Sequence, residues 1–109
     1  MNTDVAILDK AISNVEMLLN QLDPEVEKAE QLLESEYLDD DLREQLLALV
    51  EFSMSLDNIH DILNVLKYEA SSEEIKYFFK SLIQEDKEVA VQLFGKELVD
   101  EIIDAYFVR

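Results

Sequence analysis

Apolar side chains recur along the chain at steps of three and four residues, which is the spacing of one face of an α-helix. The first such segment runs from Asp4 to Leu22, with polar residues between the apolar positions. Its apolar positions are Val5, Leu8, Ile12, Val15, Leu19 and Leu22. The pattern predicts one amphipathic helix.

Asp23 and Pro24 come directly after this segment and are typical of a helix start. An aspartate side chain accepts hydrogen bonds from free backbone amides, and proline suits a first helical position that needs no donor. We therefore expect the first helix to stop here and a second helix to run to about Leu38. Asp39, Asp40 and Asp41 then favour a third start, because carboxylates are stabilised at the positive end of a helix dipole.

Residues 41–68 keep the helical spacing on both sides of a polar cluster. Short polar side chains compete for backbone hydrogen bonds and can interrupt a helix. The cluster consists of Ser53, Ser55, Asp57 and Asn58. The pattern leaves open whether this segment is one bent helix or two.

The last third of the chain carries clear boundary signals. Ser71 and Glu74 have the spacing of a capping box and predict a helix start. Asp86 is expected to cap a short helix through Phe94, and Gly95 to close it in a left-handed conformation. A final amphipathic stretch contains Leu98, Val99, Ile102, Ile103 and Tyr106.

The predicted fold is all-α: an irregular bundle of six or seven amphipathic helices in a single domain over residues 1–109. The short connections predict that the first three helices are antiparallel neighbours. A single Gly and a single Pro agree with this class, because sheets with tight turns need more glycines. An apolar content of 49% is enough for one core.

Composition also limits the chemistry and the compartment. There is no Cys, which excludes disulfides and thiolate zinc sites and is typical of a reducing compartment. No signal peptide or membrane-spanning stretch is visible, so the expected location is the cytoplasm.

No catalytic or metal-binding pattern appears. Asp57 and His60 offer only one half of a di-iron motif, and the single histidine is expected to be solvated or to cap a helix. The residues after Asp39 lack the alternating oxygen ligands of a calcium loop. One Gly excludes the glycine-rich phosphate and nucleotide loops. We expect no enzyme activity, no cofactor and no metal.

The charge is strongly negative, with 26 Asp and Glu against 9 Lys and Arg. This charge disfavours direct nucleic-acid binding and anionic membranes, and it favours a basic protein partner. Nine acids and only Lys28 lie between Asp23 and Asp41. Successive members of a glutamate stripe in this stretch rise about 5 Å along the helix, a spacing of the order of that between phosphates. The predicted partner-binding residues are Glu27, Glu30, Glu34, Asp39, Asp40 and Asp41.

Two functions remain open. The first is a small acidic binding protein that inhibits a basic, nucleic-acid-handling protein by imitating a nucleic acid. Phage counter-defence and nuclease immunity proteins are similar to the chain in size and charge only, and no motif is shared. The alternative is a structural or regulatory adaptor that forms a helical homo-oligomer, with acidity serving only solubility.

Five bulky side chains lie off the main apolar stripes of their helices. Such residues either complete a second core face or anchor a partner, and a small bundle favours the core. They are Tyr37, Phe52, Met54, Tyr68 and Tyr77.

Overall fold

A computed structural model describes residues 3–107, and within this range the chain is all-helical without a strand. The all-α prediction is confirmed, but the helix count is not, because the described residues form five helices instead of six or seven. The helices are α1 (Thr3–Leu33), α2 (Asp40–Glu69), α3 (Ser72–Glu85), α4 (Lys87–Phe94) and α5 (Lys96–Tyr106). Within the described range, no helix combines the length and the hydropathy that a membrane-spanning segment needs.

The predicted helix break at Pro24 is wrong, because α1 continues through this residue. Proline in a helix interior removes one backbone hydrogen bond and strains the preceding turn. Leu22 is half-buried and Ala29 is fully buried on either side of it, and α2 runs beside both halves of α1. Tertiary packing therefore outweighs the local penalty, as it does in most protein helices.

Residues 41–68 belong to one continuous helix, α2, which decides the open question. Ser53 is buried in the helix pair, whereas Ser55, Asp57 and Asn58 are exposed. The exposed polar side chains can be solvated by water, so they have little reason to compete for the backbone of α2.

α1 and α2 form a long antiparallel hairpin, joined by residues 34–39. The predicted first and second helices are thus one helix, while the predicted second and third helices are antiparallel as expected. At the turn, the Arg43 guanidinium donates to the backbone oxygens of Leu33 and Ser35, at 3.5 Å and 3.3 Å. These bonds satisfy carbonyls that the end of α1 leaves without a helical donor.

The hydrophobic core sits at one end of the hairpin, where α3, α4 and α5 pack against α1. Five of the six buried residues of α1 lie between Ile7 and Val15, and only Ala29 is buried further along. The Phe79 ring lies at the centre, 5.9 Å from the Phe94 ring. Because the core occupies one end only, the molecule is elongated and measures 55 × 24 × 20 Å.

The predicted boundary signals in the last third are found with small differences. Ser71 and Glu74 form a reciprocal capping box, and Asp86 accepts a hydrogen bond from the Val89 amide at 3.3 Å. Gly95 has the expected positive φ of 87°, but its ψ of 151° lies outside the left-handed helical region. This backbone conformation is almost confined to glycine.

Candidate functional site

The half of the hairpin beyond the core, residues 20–55, concentrates the acidic charge. We call it the distal hairpin. It carries 11 of the 26 acidic residues of the chain and 2 of its 9 bases, a net charge of −9. The two bases are Lys28 and Arg43. The net charge of −9 makes the field around this end strongly negative.

All six predicted partner-binding residues lie on the distal hairpin and are exposed to solvent. Glu27 and Glu30 lie on α1, Glu34 follows its last residue, and the three aspartates begin α2. Because the hairpin turns between residues 34 and 39, Glu34 and the three aspartates are at the same end of the molecule. Their role in binding stays a prediction.

The aspartates at the start of α2 also have a local structural role. Asp39 is the N-cap of α2, and its carboxylate accepts a hydrogen bond from the Asp41 amide at 3.1 Å. Asp40 and Asp41 occupy the first turn, where the helix dipole favours negative charge. The presence of three aspartates at this place is therefore explained in part by their stabilisation of the start of α2.

The glutamates of α1 have no such structural role. Glu27, Glu30 and Glu34 lie toward the negative end of the α1 dipole, where carboxylates are unfavourable, and α1 has no base in its last turn. Glu27 and Glu30, three residues apart on α1, also repel each other by a few tenths of a kcal/mol. The folded chain thus carries an electrostatic cost at these three positions.

Two carboxylates of α1 nearer the core do face a base on α2. Lys67 Nζ lies 2.6 Å from Asp9 Oδ1, and His60 Nε2 lies 3.5 Å from Glu16 Oε1. The two acids are seven residues apart on α1, and the two bases are seven residues apart on α2. The contacts therefore form a regular ladder along one side of the hairpin.

This ladder stops where the distal hairpin begins. Continuing the same seven-residue steps along the sequence pairs Asp23 with Ser53 and Glu30 with Leu46, neither of which is basic. In the part of the chain that the structure describes, no acid of the distal hairpin forms an ion pair. Sequence reasoning missed this relationship, because it depends on the register between two helices.

His60 is half-buried in the hairpin and does not have the solvated or capping role expected of it. Its Nε2 atom is enclosed and has no hydrogen-bond partner, because the 3.5 Å contact with Glu16 lacks hydrogen-bond geometry. Asn64 lies beside the other ring nitrogen, Nδ1, at 3.4 Å. Among residues 3–107, no group of three or more His, Cys, Asp or Glu side chains is placed to hold a metal ion.

The five bulky residues expected to form a second core face are exposed, so that prediction is wrong. Tyr37, Phe52 and Met54 lie on the distal hairpin, which extends beyond the helices that could bury them. Tyr68 and Tyr77 lie at the core end, on exposed faces of α2 and α3. Their exposed fractions are 94% for Tyr37, 37% for Phe52, 61% for Met54, 76% for Tyr68 and 75% for Tyr77.

A shallow groove of about 290 Å³ lies between α1 and the junction of α4 with α5. Met17, Leu18 and Phe94 form much of its wall, and Asn14 and Gln21 supply polar atoms. None of its lining residues ionises, so the groove itself offers no group for acid–base chemistry.

Comparison of the chain with known protein families, characterised proteins and solved structures finds no match.

Proposed function

We propose that this chain is a small acidic binding protein that inhibits a basic, nucleic-acid-handling protein by presenting the carboxylates of its distal hairpin in place of phosphates. The observation that supports this proposal best is that the contacts between acids of α1 and bases of α2 end where the distal hairpin begins. Two acids near the core face a base, while Asp23 and Glu30 face none. A basic partner would supply the missing cations.

The electrostatic cost at the glutamate stripe is the physical reason to prefer binding over simple solubility. Acids placed at random on the surface would increase solubility equally well. Glu27, Glu30 and Glu34 instead repel one another and the end of α1. A cationic groove that accepts phosphates would relieve this repulsion, and the net charge of −9 would accelerate its encounter with the hairpin.

The test compares two triple variants with equal changes in charge. The stripe variant combines Glu27→Gln, Glu30→Gln and Glu34→Gln. The control variant combines Glu69→Gln, Glu85→Gln and Asp104→Asn, which change exposed acids outside the distal hairpin. Each protein is used to capture partners from cells of its source organism, at low and at high salt.

We expect wild type and the control variant to retain the same basic protein, and the stripe variant to lose it. Salt and added duplex DNA should both displace the partner, because the carboxylates would occupy its phosphate site. A partner held equally by all three proteins, or held regardless of salt, would show that the stripe is not the binding surface.

The second candidate is an adaptor that forms a homo-oligomer, and the exposed apolar residues of α2 favour it. Met54 and Val65 are 61% and 54% exposed, so both are available for contact with a second copy. Light scattering separates the two candidates. A stable oligomer that keeps its partner in the stripe variant would support the adaptor.

A further inference from the structure

A stripe that is apolar at every position except Gln45 runs the length of α2 at alternating steps of three and four residues, which is the spacing of a coiled-coil seam. It includes Phe52, which the sequence pattern had placed off the main stripe. Near the core its members are buried: Leu56 and Leu63 are fully enclosed, and Ile59 and Leu66 pack against the core. In the distal hairpin, members of the same stripe are exposed to solvent. Phe52 and Leu42 are 37% and 42% exposed. Its eight positions are Leu42, Gln45, Leu49, Phe52, Leu56, Ile59, Leu63 and Leu66.

α1 carries a matching stripe with the same alternation. Leu8, Ala11 and Val15 are fully buried near the core, whereas Leu32 at the far end is 50% exposed. Its eight positions are Leu8, Ala11, Val15, Leu18, Leu22, Glu25, Ala29 and Leu32. Because α1 and α2 are packed side by side, the two stripes run along the same hairpin, and the strip between them is called the groove.

The core end of this groove is covered, and the distal end is not. α3, α4 and α5 lie on α1 beside Ile7, Leu8 and Val15 and form a third layer there. Among the described residues, no helix continues this layer over the distal hairpin. Paired helices with a continuous seam gain stability when a further helix fills it.

Charge indicates what kind of helix would fill the uncovered part. Glu25 interrupts the apolar stripe of α1, and Asp41 flanks the stripe of α2 next to Leu42. Both carboxylates are exposed and form no ion pair within the described range. A second copy of this chain would bring a net charge of −17, of which −9 lies on its distal hairpin, so repulsion disfavours it.

We propose that the distal groove binds an amphipathic, basic helix of a partner protein, which becomes the third helix of a short coiled coil. The inference rests on the proposed function, since it specifies how the basic partner is held. From Leu42 to Phe52 the groove is about 15 Å long at 1.5 Å per residue, enough for roughly three turns of helix. Apolar side chains of the partner would lie on Leu32 and Phe52, and its Lys or Arg side chains would contact Glu25 and Asp41.

The groove and the glutamate stripe are separate surfaces. Glu30 precedes Leu32 by two residues on α1, which is about 200° around the helix. A substitution in the groove therefore leaves the stripe unchanged, and the two surfaces can be tested independently.

The probe is a labelled 18-residue peptide of Leu and Lys whose leucines follow the alternating steps of three and four. The control peptide has the same composition, with the leucines spread around the helix. Fluorescence anisotropy measures the binding of both to wild type, to a groove variant (Leu32→Gln with Leu42→Gln) and to a control variant (Ile62→Gln with Val65→Gln). Both pairs are between 42% and 54% exposed, so neither variant opens the core.

Wild type and the control variant should prefer the amphipathic peptide by about tenfold, since tenfold corresponds to about 1.4 kcal/mol, within the range of one buried apolar side chain. The groove variant should lose this preference. Equal binding of the two peptides to wild type would overturn the proposal, independently of any variant. A wild-type dimer that the groove variant dissociates would overturn it too, because the occupant would be a second copy.

The stripe variant distinguishes failure of this inference from failure of the proposed function. Loss of the cellular partner in the stripe variant but not in the groove variant would leave the proposed function standing and overturn the groove. The opposite outcome is also possible to observe: wild type prefers the amphipathic peptide, but neither the stripe variant nor high salt releases the cellular partner. That result would support the groove and overturn the phosphate-imitating function.

Discussion

Lys67 Nζ lies 2.6 Å from Asp9 Oδ1, an ion pair that connects the last turn of α2 to the first third of α1. The hydrogen bond from Lys67 to Asp9 raises the pKa of the lysine above its ordinary value. The ion pair joins the two helices at the core end of the hairpin. At the far end, Arg43 of α2 donates hydrogen bonds to the carbonyls of Leu33 and Ser35.

Replacing Asp9 by Asn should destabilise the protein at neutral pH and have less effect at alkaline pH. A raised lysine pKa contributes stability below the unfolded value of about 10.4, and the contribution is lost as pH rises through the folded value. Thermal unfolding of wild type and Asp9→Asn from pH 8 to pH 12 measures this. Asp57→Asn, an exposed acid on α2, is the control. A difference in melting temperature that stays constant over this range would contradict the prediction.

The Tyr106 hydroxyl donates a hydrogen bond to the Asp4 carboxylate. Burial, and then this bond, raise the pKa of Tyr106 well above that of a free tyrosine. The neutral phenol therefore stabilises the fold below about pH 10, and the contribution is lost as pH rises toward the folded pKa. Tyr106→Phe should lower the free energy of unfolding by about 1 kcal/mol at neutral pH. Its free energy of unfolding should also fall less than that of wild type as pH rises above about 10.

Absorbance of tyrosinate during alkaline titration provides a second measurement for Tyr106. Wild type and Tyr106→Phe should titrate alike up to about pH 10, and the additional ionisation of wild type should appear only at higher pH. An extra ionisation at or below pH 10 would show that the phenol is not held by Asp4.

Pro24→Ala should stabilise the protein. The substitution restores a backbone N–H that can donate to the Asn20 carbonyl, and proline costs about 3 kcal/mol relative to alanine inside a helix. We expect an increase of about 1–3 kcal/mol in the free energy of unfolding, measured with denaturant. Asp23→Ala controls for the loss of a side chain at the same place. Destabilisation by Pro24→Ala would mean that packing of α1 on α2 requires the proline.

Gly95→Ala should cost about 1–3 kcal/mol of stability, the usual range for a residue forced into a glycine-only conformation. Space is not the cause, because an added Cβ would lie 4.0 Å from the nearest side-chain atom, Nδ2 of Asn14. Gly95→Asn should be equally destabilising, since asparagine tolerates the left-handed helical region but not a ψ of 151°. An asparagine variant as stable as wild type would contradict this account.

The stripe variant (Glu27→Gln, Glu30→Gln and Glu34→Gln) should be more stable than wild type by about 0.5–1 kcal/mol at low ionic strength. The gain should disappear in about 1 M salt, where exposed charges are screened. Denaturant unfolding at two salt concentrations measures it. A gain that persists in high salt would indicate helix propensity, not relief of repulsion.

Local signals were the reliable part of the sequence. Ser71 with Glu74 and Asp86 with Val89 each satisfy backbone amides within three residues, so their geometry needs no distant partner. Pro24 is also a local signal, yet it misled, because its penalty is smaller than the packing of a 31-residue helix against α2. Propensity decides a boundary only where tertiary contacts do not oppose it.

The candidate site was likewise predictable from the sequence only in part. Its acids and their concentration between Asp23 and Asp41 were visible in the sequence, because charge is a property of composition. Their lack of a basic partner was not, since it depends on the register that brings Asp9 to Lys67 and Glu16 to His60.

The all-helical class, the N-caps of α3 and α4 and the acidic character of residues 23–41 could be read from the sequence, because they depend on composition and on interactions among near neighbours. Three features depend on the packing of the helices: two predicted helices are one, the hairpin extends past its core, and Leu32, Leu42 and Phe52 are left uncovered. The physical reason is that burial depends on which other elements reach a residue. The apolar spacing of a helix is the same whether its groove is filled or open.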